Sequence, residues 1–112
     1  LLRAALHQTI GKTYYAISFY PESIEQLELS LAIRRRELGN DHADTADSMC
    51  NLADVLFHGM HESEQALGYY RKALDVYRRL LGGDHEATSY AMGRIRWIVS
   101  ERKVNEDLLE YW

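Results

Sequence analysis

LGNDHADTADSMCNLADVLF, residues 38–57, returns as LGGDHEATSYAMGRIRWIVS at residues 81–100, a shift of 43 positions without a gap. Within the first copy, Ala46, Met49, Leu52, Ala53 and Leu56 keep the i, i+3, i+4, i+7 spacing of one helix face. A helix carrying such a stripe needs neighbours to cover it, and the rest of the self-comparison supplies them. Residues 9–15, TIGKTYY, align with 51–57, NLADVLF, at an offset of 42, and 24–33, IEQLELSLAI, align with 67–76, LGYYRKALDV, at 43. The odd residue falls between these two helices. The repeat unit is therefore helix A, a short turn of variable length, helix B, and an LGxDH linker.

The run NLADVLFHGMHESEQALGYYRKALDVYRRLLGGDH (51–85) resembles a tetratricopeptide repeat of the long kind found in kinesin light chains and in many bacterial arrays. The resemblance rests on a small residue after an apolar one in helix A, then an aromatic, then Ala-Leu in helix B. Leu52-Ala53, Phe57 and Ala73-Leu74 meet it in one repeat, Ile10-Gly11, Tyr14-Tyr15 and Leu31-Ala32 in the other. It implies an all-α, right-handed αα superhelix over residues 1–112 as one domain, with repeats at about 2–38, 43–81 and a partial 86–112, cut from a longer array.

Composition narrows the function classes. A formal charge of −4 and a pI near 5.7 argue against a nucleic-acid platform, which needs a basic stripe. The one cysteine, Cys50, cannot form an internal disulfide, which fits a reducing, cytoplasmic setting. LLRAALHQTI lacks the apolar run of a signal peptide, and no apolar stretch approaches membrane-spanning length, so no membrane role is expected.

In order, helix A of the first repeat is expected over 2–19, with Ala4, His7, Ile10, Gly11, Tyr14 and Ile17 facing inward, His7 as a half-buried hydrogen-bonded imidazole. Pro21 suits the first turn of a helix B over 22–38 that buries Ile24, Leu27, Leu31 and Leu38. Consecutive Arg34, Arg35 and Arg36 spread around that helix and read as a solvated face. Gly39 and Gly82 fit helix C-caps, and Asp41-His42 and Asp84-His85 recur in one linker slot, which points to capping rather than chemistry. The second repeat places helix A at 43–58 and helix B at 62–81, with Ala66, Tyr70, Ala73, Leu74, Tyr77 and Leu81 inside. In the third, helix A is expected at 86–101 and a short helix at 105–112. Arg96 there stands where Gly11 and Ala53 supply the small residue for close helix approach.

No catalytic constellation emerges: there is no P-loop, GxSxG or HExxH, and Ser48 and Ser89 lack a nearby base. His58 and His61 form an HxxH pair without a further ligand close in sequence. The chain therefore reads as a non-enzyme with no cofactor and no metal. The resemblance implies a protein-interaction scaffold whose helices A line a concave groove for an extended peptide. Its groove positions fall on Gln8, Thr9, Lys12 and Tyr15, then Asp47, Cys50, Asn51, Asp54 and His58, then Tyr90, Arg94 and Trp97. Asn51 matches the family's typical groove asparagine, while Thr9 and Arg94 depart from it. The alternative is a structural spacer or self-associating solenoid segment of a larger signalling protein, with weak end-to-end association through Leu1, Leu2, Leu108, Leu109 and Trp112.

Overall fold

The computed structural model describes the backbone of residues 1–109 and the side chains of residues 1–103. Five helices follow one another: α1 (Leu2–Ala16), α2 (Tyr20–Leu38), α3 (Ala43–His58), α4 (Ser63–Leu81) and α5 (Glu86–Leu109). Each packs chiefly on its sequence neighbours, α1 on α2 and α3 on α4 most extensively, while α1 also touches α3. This is an all-α helical-repeat stack. Its A and B helices are the ones expected, with corrected ends.

α1 stops at Ala16 instead of 19. Ser18 takes the left-handed conformation (φ 66°), its N–H bonds the Tyr15 carbonyl at 3.0 Å, and the Phe19 N–H bonds that of Tyr14 at 2.8 Å. This closure carries its usual apolar contact, here the stacked rings of Tyr14 and Phe19 with centroids 6.2 Å apart. In the second repeat the turn is one residue longer and His61 takes the positive φ of 57°. The length difference of the two repeats thus lies in the A–B turn, as the offsets predict. α5 corrects a further expectation, because it runs unbroken through 105–109, where a separate short helix was expected. Residues 110–112 and the side chains of 104–109 lie outside the described residues, as does the expected apolar surface at Leu108, Leu109 and Trp112.

The two B-to-A linkers are built alike. Gly39 (φ 83°) and Gly82 (φ 87°) end their helices in a region that side chains avoid. The next helix is capped by the imidazole and not by a carboxylate: His42 Nδ1 accepts from the Asp44 N–H, and His85 Nδ1 from that of Ala87, both at 3.0 Å. Thr45 and Thr88 donate back to the Gly39 and Gly82 carbonyls at 2.8 Å. Asp41 instead pairs with Arg79.

α3 lies between α2 and α4 and buries ten residues, whereas α1 buries Ala4 and Gly11 alone. Two expectations fail for that reason. Ile10 and Ile17 are exposed, because α1 lacks the second flanking helix that covers Leu52, the counterpart of Ile10. Leu81 is likewise open at the end of α4. Between α1 and α2 the small residues interlock: Ser23 Oγ donates to the Gly11 carbonyl at 2.7 Å and Ser30 Oγ to that of Ala4 at 2.8 Å. The second repeat holds Ala66 and Ala73 at those serine positions, both fully buried. His7 is half-buried, with Nδ1 2.7 Å from Gln26 Oε1.

Candidate functional site

The first helices of the three repeats border one concavity of about 450 Å³. α1 contributes Gln8 and Lys12, α3 contributes Asp47, Cys50, Asn51 and Asp54, and α5 contributes Glu86, Ala87 and Tyr90, while Tyr77 and His85 complete the wall. A helix brings residues three, four and seven apart to one side, so Asp47, Cys50, Asn51 and Asp54 share a face opposite to Leu52 and Ala53.

The α4 tyrosines, expected only as core, hold the carboxylates of α3, and Tyr77 also lines the concavity. Tyr70 and Tyr77 project from α4, are almost wholly buried, and donate their hydroxyls to Asp54 and Asp47 respectively. Tyr90 donates to both oxygens of Asp54 at 2.8 Å. Burial, reinforced by the nearby carboxylates, raises the phenol pKa of Tyr70 and Tyr77 and carries Tyr90 to about 12. All three stay neutral donors. Burial likewise raises the Cys50 thiol to about 12, which leaves an inert apolar wall and not a nucleophile.

Arg34 is the largest correction on the outer face. It is not solvated with Arg35 and Arg36 but half-buried between three helices. Its Nη1 donates to Gln8 Oε1, to Ser48 Oγ at 2.7 Å and to the Asp44 carbonyl at 3.1 Å. Arg34 aligns with Tyr77 at the repeat offset of 43, so the signal was present in the self-comparison.

Of the remaining expected groove residues, His58, Arg94 and Trp97 meet one another. The Arg94 guanidinium lies 5.1 Å from the Tyr90 ring and 5.3 Å from that of Trp97, and its Nη1 is 3.3 Å from His58 Nε2. His58 and Trp97 also meet edge to face, centroids 5.6 Å apart, with Trp97 51% exposed. Burial works against the Arg94 charge, but Tyr90 and Asp54 outweigh it and raise its pKa. Tyr15 packs on Tyr20 at 6.0 Å, and burial, then Asp54, raises its pKa. Thr9 is not among the lining residues; its hydroxyl bonds the Ala5 carbonyl at 3.0 Å. His58 and His61 do not converge with a third metal-binding side chain among the described residues. No helix there is long and apolar enough to cross a membrane.

Comparison with known proteins agrees with this architecture. The tetratricopeptide repeat model matches residues 1–78 and 51–98, and the chain belongs to that family. Among curated proteins it is similar to the Clustered mitochondria protein homologs of Emericella nidulans and Aspergillus niger, each 25% identical over 104 residues, or 93% of this chain. The chain spans 8% of the length of those relatives. Its fold is similar to that in the crystal structure of BtubC (BKLC) from P. vanneervenii, with a TM-score of 0.81 and 21% identity over 88% of this chain and 39% of that one. As a tetratricopeptide repeat, the chain has the build of a protein-interaction scaffold.

Proposed function

We propose that the concavity receives an extended segment of a protein partner, with Asn51 as the central contact. The observation that carries this reading is the convergence of polar side chains from α1, α3 and α5 on one hollow, with Asn51 among them. A carboxamide donates and accepts, so it can satisfy a peptide backbone whatever side chains that peptide carries. Loss of one such hydrogen bond costs roughly 0.5–1.5 kcal/mol, up to about tenfold in affinity. Selection from a random peptide-display library, followed by NMR titration of the winners, tests it. Shift changes centred on Asn51, Asp54 and Tyr90, with weaker binding by folded Asn51→Ala, are expected. Equal affinity of the variant, or changes confined to the outer surface, would refute the reading.

A second reading, self-association of a structural stack, is favoured by α1. Leu2, Leu6 and Ile10 lie four residues apart and are 75%, 53% and 44% exposed, a stripe of the kind that seeks a partner. Sedimentation showing a concentration-independent monomer would exclude it.

A further inference from the structure

Resting on the peptide-groove reading, we propose that the groove selects its occupant by charge order. The segment that fits carries an acidic side chain over α1 and basic side chains over α3 and the start of α5, at steps of at least about three residues. The lining holds three carboxylates, Asp47, Asp54 and Glu86, against the ammonium of Lys12. Their placement is sided: Lys12 stands on α1 and the carboxylates on α3 and the first turn of α5, while the cation Arg94 lies further along α5 against Tyr90 and Trp97. None of the four makes an ion pair among the described residues.

The tyrosines preserve this separation. Asp47 and Asp54 are held by tyrosine hydroxyls, which fix the oxygens without cancelling their charge. The first repeat shows the opposite choice, since the residue equivalent to Tyr77 is Arg34, whose guanidinium reaches Gln8. Lys12 thus leaves the α1 wall of the groove cationic, and Asp47 and Asp54 leave the α3 wall anionic. Asp47 leaves one oxygen unbonded by any described hydroxyl. A carboxylate offers about four acceptor positions, so Asp54 also retains capacity for a further donor.

The spacing follows from helix geometry. An extended chain advances about 3.3 Å per residue and packed helices stand roughly 8–10 Å apart, about three residues. α1 and α3 pack chiefly on their sequence neighbours rather than on each other, so a segment passing from one first helix to the next needs at least that many. This rule is stricter than general acidity. A peptide of the same composition with its acidic residue between the two basic ones sets a carboxylate against Asp47 and Asp54.

The test uses fluorescein-labelled peptides in a proline- and serine-rich background, each with one glutamate and two lysines at equal steps of about three, four or five residues, titrated by anisotropy into the 112-residue chain. At each step one peptide carries the glutamate at an end of the triad, its isomer in the middle. The end-glutamate peptide is expected to bind more tightly, with an advantage that shrinks as salt rises. Asp54→Asn and Asp47→Asn should each weaken it by up to about fivefold, the range of exposed ion pairs. Both variants keep an acceptor for the tyrosine hydroxyl, so circular dichroism should match the parent. Equal affinity of the two isomers at every step, or no loss in either variant, overturns the charge rule. If Asn51→Ala still weakens the winners of the peptide library in that case, the groove itself stands. No binding by either isomer at any step also overturns the rule, and the library selection then decides separately whether the groove takes peptides.

Discussion

Gly11 sits where α1 and α2 approach closely, and adding one methyl there should destabilise a helix that alanine would otherwise favour. A Cβ built on Gly11 would stand 2.7 Å from both Cγ and Cδ2 of Leu27 and 3.2 Å from the Ser23 carbonyl oxygen. Leu27 is fully buried, so its branch point cannot swing aside, and the Ser23 carbonyl is backbone. In a helix interior alanine exceeds glycine by about 1 kcal/mol, whereas overpacking costs about 1–3 kcal/mol. The net for Gly11→Ala is a loss of about 1 kcal/mol once the propensity gain is subtracted from a cost near the middle of that range. Gly68 and Gly93 are internal controls, since both are helical and a Cβ at either meets nothing within 4 Å. Gly93→Ala and Gly68→Ala should each stabilise by about 0.5–1 kcal/mol. In thermal unfolding followed by circular dichroism, the opposite signs should separate Gly11→Ala from Gly93→Ala by several degrees, since about 1 kcal/mol moves the midpoint of a domain this size by about 4 °C. A Gly11→Ala protein that gains as much as Gly93→Ala would refute the close approach of α1 and α2.

Alkaline pH should unfold the stack early. Cys50 is raised from 9.0 to about 12 and Tyr90 from 10.0 to about 12, with Tyr70 and Tyr77 shifted the same way. Above the unfolded-state values the native state holds more protons than the unfolded chain, so stability is full below about pH 9 and declines as pH rises towards about 12. Urea midpoints that stay level across that window would contradict the buried hydroxyl–carboxylate contacts. Separately, His42→Ala removes the acceptor that caps α3 and should cost about 0.5–2 kcal/mol, while His42→Asn restores most of it; urea titration of the two variants checks this.

The sequence by itself determined the period, the A and B helices of the first two repeats, the first helix of the third and the small-residue slots, because a stack repeats its local rules and each local rule leaves a spacing. The 42 and 43 offsets located the turn insertion, and Gly39 and Gly82 located the helix ends. Seven of the twelve expected groove residues, Gln8, Lys12, Asp47, Cys50, Asn51, Asp54 and Tyr90, border one hollow, since residues on one helix face stay together when helices stack in register. What the tertiary structure alone decided are the contacts between helices. Ile10 has the same local pattern as Leu52 and is exposed, because burial depends on how many helices flank a position and not on the position's own periodicity. Tyr70 and Tyr77 looked like core residues and are, yet their hydroxyls end on Asp54 and Asp47 across the helix pair. Arg34 sits in a run of three arginines, and only the approach of α1 and α3 gives its guanidinium three acceptors. Helical spacing is a short-range property that a sequence displays directly, whereas a polar partner across an interface is set by packing of distant segments.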